Sequence, residues 1–599
     1  MPEPGLRKRK KGQDPKTSAK AEHRKPVAPS DDQEDFDSVA IQKVLKYVSL
    51  FLVCGFGLYA SQNPSVVTDL LGSWIGFSEH WDGGVPRTPV ETVVELDTDT
   101  WKRGAIVTAF KHAWSAYERD AMGDDEYHPI SQQGSNLSMA GGIGYTVIDA
   151  MDTMQIMGLH QEYERARHWV ATKLSFDRDD TFSTFETTIR VLGGLLSSYH
   201  LSGGDSLFLE KAVDIADRLL PAFDTVSGLP RASVNLARGQ GIQNSDFPGL
   251  VSVAEVATLQ LEMRYLSYLT ENTVYWEKAE RVMHLIKRSR LAHGLASVFM
   301  SEEEGVYITS AISLGSRGDS YYEYLLKQYL QTNRKEDVYK DMYDDAMESI
   351  HNFLIQKSKT GRMIYTSELI PERLPSEEIQ WRQTPKQDHL VCFLGGSLML
   401  GATRTGALVD PVSIPPRPEE LSEKGHRDWK TGGELIKTCM NTHDTATGLS
   451  PETVHFRIAS DGMDSIPGAP EDWYIKGAQP GAFPPYDARY MLRPETIESL
   501  FIAYRLTGDP IYREYGWKIF RSIETHNRIE TGGYATVVNV DEVPVRHEDK
   551  METFMLSETL KYLYLLFSNG DVLPLDKYVF NTEAHPLPIF DSVIKTGFS

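Results

Sequence analysis

Five groups of carboxylates in this 599-residue chain lie inside apolar stretches that are typical of buried helices. In "FETTIRVLGGLLSSY" Glu186 and Arg190 are one helical turn apart, and Asp319 and Glu323 have the same spacing in "GSRGDSYYEYLLKQ". Acidic side chains are almost never fully buried without a partner, so these positions indicate polar sites within a core. The other three groups are "YTVIDAMDTM" with Asp149 and Asp152, "RPETIESLF" with Arg493, Glu495 and Glu498, and "METFMLSETL" with Glu552.

Any one group could be a structural ion pair or a helix cap, but five groups on different helices of one domain predict a shared acidic cavity. Two chemistries suit such a cavity. A carboxylate pair can hydrolyse a glycosidic bond, with inversion when a separation of ~6.5–9.5 Å leaves room for water. Carboxylate oxygens can instead bind a hard cation. The chain has no H-E-x-x-H or C-x-x-C zinc motif, no phosphate-binding loop with its lysine and no nucleophile elbow.

The elements that must position these carboxylates are repeated helical hairpins. An aromatic helix end, a polar turn and a new aromatic helix start recur around Tyr199, Tyr268, Tyr329 and Tyr504, and "MGLHQEYERA" and "YLLFSNGDVLPL" are looser copies. At ~60–65 residues per unit, about 450 residues give about seven hairpins whose apolar faces must be covered by neighbours. An open solenoid has the same period. The long insertions "VDPVSIPPRPEELSEKGH" and "IKGAQPGAFPPYDARY", together with the recurring carboxylates, favour a closed ring with both loops around one face.

The composition is that of a globular protein, with 24% charged and 41% hydrophobic residues. A net charge of −22 disfavours nucleic acid and suits a neutral polar ligand or a cation. The first 43 residues differ from the rest, because they are basic and lack apolar periodicity. We therefore expect residues 1–43 to be a disordered cytosolic tail.

The apolar run "VLKYVSLFLVCGFGLYA", residues 44–60, is interpreted as a transmembrane signal anchor. It is shorter than the ~20 residues of an ordinary span. Basic residues precede it and Lys46 can reach the cytoplasmic interface, which predicts that the body of the chain is lumenal. A buried helix and a cleaved signal peptide are the alternatives, but the long preceding tail and the lack of a clear cleavage site argue against a signal peptide.

Cysteines and one glycosylation sequon fit a lumenal body without establishing it. Cys392 and Cys439 could pair in an oxidising compartment or remain as two buried thiols, and the composition leaves both open. Asn136-Leu-Ser is the one acceptable sequon for N-glycosylation, and such triplets also occur by chance.

Six motifs resemble, in order and spacing, those of the class I α-1,2-mannosidases, glycoside hydrolase family 47. The match runs from about residue 101 to 590, and the motifs read "FETTIRVLGGLLSSYHLS", "GSRGDSYYEYLLKQYL", "KQDHLVCFLGG", "LRPETIES", "DKMETF" and "VFNTEAHPLP". The resemblance implies an all-α fold, an (α/α)7 barrel over residues 99–599 that follows a lumenal stem of residues 61–98. It also implies that "DKYVFNTEAHPLPIF" forms a β-hairpin that plugs the barrel, which explains the apolar character of this segment.

The resemblance assigns roles to individual residues. Glu186 would donate a proton through a water, Asp319 would lie beside the scissile bond, and Glu495 would be the base that activates the attacking water. Burial beside other acids would keep Glu186 protonated, while Arg493 and a calcium ion would favour ionised Glu495. Thr582 would bind Ca²⁺ through its hydroxyl and carbonyl oxygens, with waters completing the shell. Contacts to the sugar or to calcium-bound waters are implied for Asp149, Arg190, Glu323, His389, Glu452, Arg493, Glu498 and Glu552.

Finer features are implied in the same way. Arg317 in "GSRGDS" resembles the endoplasmic reticulum members of the family, which implies removal of one middle-branch mannose from Man9GlcNAc2 to give Man8 isomer B. Implied partners are high-mannose N-glycans in glycoprotein quality control, and the implied location is the endoplasmic reticulum membrane or the early Golgi. Cys392 and Cys439 match the disulfide of the family. A glycan-binding relative with weak or no hydrolase activity, and a non-enzymatic helical scaffold, are the alternatives.

Overall fold

The computed structural model describes residues 94–598 apart from 290, 292–293, 466–467 and 480. The predicted tail (1–43), the predicted anchor (44–60) and most of the predicted stem (61–98) therefore lie outside the described residues. Across the residues that are described, no helix combines the length and apolar character needed to span a bilayer. The described residues include fourteen α-helices of seven or more residues: α1 Thr100–Asp120, α2 Tyr145–Met157, α3 His160–Thr172, α4 Gly193–Leu201, α5 Ser206–Leu219, α6 Gln260–Thr270, α7 Thr273–Ser289, α8 Asp319–Gln331, α9 Asp337–Ser349, α10 Phe393–Ala402, α11 Glu423–Thr442, α12 Glu495–Thr507, α13 Pro510–His526 and α14 Leu560–Leu566.

These helices form seven antiparallel hairpins in a ring, counted over the described part of the chain. The inner helices α2, α4, α6, α8, α10, α12 and α14 each pack on the next one, and the π-helical turn Met555–Thr559 that leads into α14 packs on α2 and closes the ring. Each inner helix has an outer partner that follows it in the chain, except that α14 is backed by α1. The closed ring that the sequence predicts is therefore present, and an open solenoid is excluded.

Local sequence signals set the helix ends at the predicted hinges. Asp205 caps α5 by accepting the backbone N–H two residues further on, at 3.2 Å. Asp509 caps α13 in the same way at 3.0 Å, and Pro510 occupies the first helical position, where no N–H is needed. Gly508 adopts φ 68°, the left-handed conformation that ends α12 at little steric cost. The hinges are therefore short turns with defined geometry.

The apolar core lies between the inner and outer rings. Helix α10 is buried along its whole length. A Cβ atom added at Gly432 of α11 would lie 2.6 Å from the carbonyl oxygen of Gly395, so only glycine allows this close approach. Trp114 of α1 and Trp276 of α7 are fully buried against the inner ring.

Short antiparallel sheets of two or three strands occupy the connections between hairpins. Strands β1 to β17 all lie in connections from an outer helix to the next inner helix, so they gather at the end of the ring where the inner helices begin. The strands are β1 Glu126–His128, β2 Gln133–Ser135, β3 Thr181–Ser183, β4 Ser233–Asn235, β5 Gln240–Ile242, β6 Leu250–Ser252, β7 Phe299–Ser301, β8 Tyr307–Ile308, β9 Ile355–Lys357, β10 Ile364–Thr366, β11 Glu368–Arg373, β12 Ile379–Thr384, β13 Lys386–Asp388, β14 Thr453–Phe456, β15 Trp473–Tyr474, β16 Thr536–Val537, β17 His547–Glu548, β18 Tyr578–Phe580 and β19 Pro586–Pro588.

The two long insertions do not surround one face, and this prediction was wrong. Residues 409–426 follow inner helix α10, whereas residues 475–490 precede inner helix α12. All inner helices run in the same direction along the axis of the ring. A connection that follows an inner helix and one that precedes an inner helix therefore lie at opposite ends of the ring. Only the insertion 475–490 lies at the end that carries the strands.

The C-terminal segment forms the hairpin β18–β19, which packs on α8 and α4 inside the ring. Its base lies where the inner helices end, because the Phe590 N–H donates to the Gln331 carbonyl oxygen at 2.8 Å, at the last residue of α8. Its tip, residues 581–585, therefore points towards the end where the inner helices begin. The interior of the ring is plugged, as the resemblance implied.

Candidate active site

A cavity of about 310 Å³ lies among the first turns of the inner helices. The three predicted catalytic carboxylates, Glu186, Asp319 and Glu495, all line it, and the plug contributes Thr582. The lining holds eight carboxylates and three arginines and is therefore strongly acidic. The remaining charged groups in it are Arg190, Glu255, Arg317, Glu323, Arg493, Glu498, Glu558 and Glu583.

Glu186 ends a one-turn helix whose first N–H groups are capped by Ser183, and a π-helical turn, Thr187–Leu192, follows it. The Tyr145 hydroxyl and the Arg190 Nε both donate to Glu186 Oε2, at 3.2 and 2.9 Å. The Glu186 side chain is 39% exposed, so the burial that we expected for the proton donor is not found here. Its position instead gives it access to a ligand in the cavity.

Asp319 is the first residue of α8 and lies at the bottom of the cavity. Burial raises its pKa to about 7, the negative charge of Glu323 adds to the rise, and a hydrogen bond from the Ser320 N–H opposes it. Asp319 therefore has the environment that was predicted for Glu186, since burial favours its protonated form.

Glu495 is the first residue of α12, where the helix dipole and the neighbouring Arg493 favour its ionised form. Arg493 Nη1 lies 3.8 Å from Glu495 Oε1 and lowers its pKa, as expected. Burial is the larger effect, however, and raises the pKa to about 7. Glu495 Oε2 is buried and accepts no hydrogen bond from the described residues, so it is free to accept one from a water.

Glu452 and His389, which were predicted to contact the sugar, do not line the cavity. They instead pack against Arg493 and Glu495. Glu452 accepts two hydrogen bonds from the Arg493 guanidinium, at 2.6 and 3.1 Å. His389 is buried, with Nε2 at 3.1 Å from the Thr496 hydroxyl and 3.9 Å from Glu495 Oε2. Burial lowers the pKa of His389 well below its usual value, so its ring is neutral.

Thr582 brings the plug into the acidic cavity. Its hydroxyl donates to Glu323 Oε2 at 2.9 Å, and the other oxygen of Glu323 is bound by Lys327. Lys327 also lies 3.5 Å from Glu498 Oε1. Burial raises the pKa of Glu498 to about 7 despite this lysine. Thr582 is therefore surrounded by more negative than positive side chains.

This donor set fits a hard cation, because the groups around Thr582 are oxygen atoms with excess negative charge. Glu558 and Glu583 add two further carboxyl groups; burial raises the pKa of each well above its usual value, and a bound cation would favour their ionised form. Throughout the described part of the chain, no three acidic, histidine or cysteine side chains converge closely enough to hold a metal directly. The residues present therefore suit an ion bound by Thr582 oxygens and by waters that the carboxylates hold.

Asp149 was expected in the lining, but the structure buries it completely behind the cavity wall. His585 Nε2 lies 3.1 Å from Asp149 Oδ1, and His585 Nδ1 lies 2.7 Å from Asp152 Oδ2. Lys561 pairs with Asp152 at 2.8 Å. The two aspartates of α2 therefore anchor the plug, because their charges are matched by groups on or beside it.

Glu552 also lies outside the lining and pairs with Lys550 at 3.2 Å. Glu558, six residues further on in the same motif, lines the cavity instead. The sequence reasoning also did not single out Glu255 and Glu583. Glu255 was detectable as a lone acid in the apolar stretch "SVAEVATL", and Glu583 lies next to Thr582 in "NTEAHP".

Arg317 lies at the rim of the cavity in a strained backbone conformation, with φ 72°. Its guanidinium packs over Phe247 and Phe299, at 5.1 and 5.7 Å from the ring centroids. Its carbonyl oxygen accepts the Ala254 N–H at 3.1 Å. The guanidinium and the backbone of Arg317 are therefore both held in place.

The remaining predicted sites lie away from the cavity. Cys392 and Cys439 form a disulfide between the start of α10 and α11, the pairing that the resemblance implied. Asn136 lies on an exposed stretch, where its side-chain amide donates to Asp124 at 3.0 Å. Its glycosylation stays a prediction.

Comparison with known proteins gives one consistent family. A profile described as "Glycosyl hydrolase family 47" matches residues 109–589. The chain is 42% identical to a mannosyl-oligosaccharide 1,2-alpha-mannosidase of Candida albicans, covering 83% of this chain and 86% of that protein. It is also 42% identical to an endoplasmic reticulum mannosyl-oligosaccharide 1,2-alpha-mannosidase of Schizosaccharomyces pombe, covering 84% and 92%. The solved alpha-1,2-mannosidase from Trichoderma reesei superposes with a TM-score of 0.70 at 28% identity, covering 82% of this chain and all of that one.

Proposed function

The chain belongs to glycosyl hydrolase family 47 as a class I α-1,2-mannosidase, and from this premise we propose that it trims Man9GlcNAc2 N-glycans with inversion. The expected product is mainly isomer B of Man8GlcNAc2. One observation supports the proposal most directly: Glu186, Asp319 and Glu495 reach a single cavity from three different hairpins of the ring. A scaffold that only binds proteins has no use for this convergence.

Glu495 acts as the base. Its side chain lines the acidic cavity, and its buried Oε2 accepts no hydrogen bond from the described residues. In the reaction the Glu495 carboxylate takes a proton from the water that attacks the anomeric carbon, while Arg493, 3.8 Å from Oε1, stabilises the ionised form. A pKa of about 7 matches this task near neutral pH.

Glu186 donates the proton to the leaving oxygen through a water, and Asp319 lies beside the scissile bond. The hydrogen bonds from Tyr145 and Arg190 orient one Glu186 oxygen, so the other is directed to the ligand. Asp319 has a pKa of about 7 and provides a proton that can hydrogen-bond to a substrate hydroxyl. Division of these roles between separate carboxylates is characteristic of inverting glycosidases.

Calcium is the proposed cofactor, held by the hydroxyl and carbonyl oxygens of Thr582. When bound, it supplies a positive charge that orients water and sugar hydroxyls and offsets the surrounding carboxylates. Glu323, Glu498, Glu558 and Glu583 would hold waters around the ion. The excess of negative charge around Thr582 supports this assignment.

The finer assignments rest on Arg317 and on the relatives. Arg317 is held at the rim, where an arm of a branched glycan passes, and we assign it the selection of the middle branch. Residence in the endoplasmic reticulum, a role in glycoprotein quality control, and attachment through residues 44–60 follow from the names of the relatives and from the sequence.

Glycan profiling of Man9GlcNAc2 after incubation with the full-length protein tests these proposals, with calcium or with EDTA, and with Glu495→Gln as the matched control. We expect one Man8 product that disappears on chelation and in the control. Trimming to Man5 at a similar rate would refute the role of Arg317. A folded protein that yields no product in either condition is the glycan-binding relative instead.

A further inference from the structure

A second groove lies at the end of the ring where the inner helices begin, between residues 475–490 and 536–548. The two segments are joined, because Tyr490 and Val537 exchange backbone hydrogen bonds at 2.9 and 3.1 Å. The groove has a volume of about 900 Å³. Its side walls include Gln479, Phe483, Asn539, Asp541, Glu542 and Arg546.

Two aromatic side chains are exposed on this insertion. Phe483 is 78% exposed and Tyr486 is 55% exposed, although large aromatic residues usually find a cover in folded proteins. The Arg546 guanidinium lies 5.9 Å from the centroid of the Phe483 ring and supports it from the opposite segment. The ring is thus held at the groove while most of it remains accessible.

The charges in the groove largely cancel. Arg546 pairs with Glu542 at 2.8 Å, and Asp541 accepts the Ala446 N–H at 3.2 Å. No surplus of positive charge is available for an anion. An aromatic face beside amide, carboxylate and guanidinium groups suits a neutral ligand with an apolar face and many hydroxyls, which is the chemistry of a sugar.

The groove is continuous in the chain with the candidate active site. The segment that carries Phe483 and Tyr486 runs on through Arg493 to Glu495, both of which line the cavity. The Tyr486 hydroxyl donates to Met491 Sδ at 3.3 Å, and this contact ties the insertion to the residues that lead into Arg493. A cavity of about 310 Å³ is small for a ligand site, so most of a branched oligosaccharide must lie outside it.

We infer that this groove is a second sugar subsite, in which Phe483 stacks on a mannose residue of an arm that is not being cleaved. The inference rests on the proposed function, because it takes its ligand to be the same high-mannose glycan. The subsite belongs to the insertion 475–490, so it adds affinity for the large substrate and contributes nothing to the reacting bond.

Titration of the full-length Glu495→Gln protein, with and without Phe483→Ala, tests the inference without requiring turnover. The probes are Man9GlcNAc2 and the mannose-α-1,2-mannose disaccharide. We expect Phe483→Ala to weaken binding of Man9GlcNAc2 by about two- to tenfold, as one aromatic contact would, and to leave disaccharide binding unchanged. Phe483→Trp retains a stacking surface and should restore the affinity. Val593→Ala, which changes a 92% exposed apolar residue beyond the plug, is the matched control.

Three outcomes overturn the inference, each in a recognisable way. Unchanged affinity for Man9GlcNAc2 excludes a subsite, and an equal loss for both probes indicates damage to the cavity. If Phe483→Ala weakens binding of a denatured high-mannose glycoprotein but not of the free glycan, the groove binds polypeptide and not sugar. The proposed function can fail separately. If the unmodified protein hydrolyses no glycan but Phe483→Ala still weakens binding of Man9GlcNAc2, the hydrolase is refuted and the subsite remains supported.

Discussion

Replacement of Arg493 by methionine tests how the proposed base is kept ionised. Arg493 is the one guanidinium within 4 Å of Glu495 among the described residues, at 3.8 Å between Nη1 and Oε1. Methionine keeps most of the side-chain length and removes the charge. Because loss of a nearby positive charge disfavours the carboxylate, the pKa of Glu495 must rise above its present value of about 7.

The size of the effect follows from the distance. With an effective dielectric constant of about 20, two unit charges 3.8 Å apart interact by about 4 kcal/mol, which corresponds to about 3 pKa units. The Glu452 carboxylate itself raises the pKa of Glu495, so we expect a smaller rise, of about one to two units, in a variant that loses both the guanidinium and the Glu452 charge. Since the base must be ionised, the acidic limb of the kcat/KM profile moves to higher pH by the same amount.

The pH dependence of kcat/KM for Man9GlcNAc2 is the assay. Arg493→Lys keeps the charge and is the matched control, whose acidic limb should stay near that of the unmodified protein. Arg493→Met alone leaves Glu452 buried without its partner, at a cost of about 3–5 kcal/mol in the free energy of unfolding. The double variant Arg493→Met, Glu452→Gln removes that cost. An acidic limb that does not move in the folded double variant would refute the electrostatic account of Glu495.

Three further predictions use the same protein. Glu495→Gln should lower kcat by at least about 10²-fold in glycan profiling while the melting temperature is unchanged, and substantial residual turnover would remove Glu495 as the base. Thr582→Val, which has nearly the same shape without the hydroxyl, should reduce the rise in melting temperature that added Ca²⁺ produces; an unaltered rise would place the ion elsewhere. Cys392→Ser with Cys439→Ser should lower the free energy of unfolding by about 4 kcal/mol in denaturant titration, because the disulfide closes a loop with a sequence separation of 47. A loss below 1 kcal/mol would mean that the reduced chain retains this loop.

The hairpins and the catalytic carboxylates could be predicted from the sequence because their signals are local. A polar hinge between two apolar helices marks each turn, and paired acids at the start of an apolar helix mark Asp319 and Glu495. The ends of the ring could not be assigned in this way. Which end an insertion occupies depends on whether it follows an inner or an outer helix, and both kinds of helix are largely apolar.

Four predicted contacts, Asp149, His389, Glu452 and Glu552, do not line the cavity, and two of them show why sequence patterns could not tell. Glu552 and Glu558 belong to one motif, but a π-helical turn at Met555–Thr559 changes the register, so regular helical spacing cannot tell which carboxylate faces inward. Asp149 carries the same signal as a lining residue, a buried acid. Its partner His585 lies 436 residues away, and no sequence pattern connects them.

The plug makes the enzyme depend on the order in which the chain is synthesised. Asp149 and Asp152 leave the ribosome early, yet His585, which contacts both, follows 436 and 433 residues later. At about 5–20 residues per second this interval is roughly 20–90 s, during which the two carboxylates must remain hydrated. The first helix α1 likewise waits for α14, its partner in the closed ring. A nascent chain is therefore open until its last residues arrive, and removal of residues after 577 would remove His585 together with Thr582, the proposed calcium ligand.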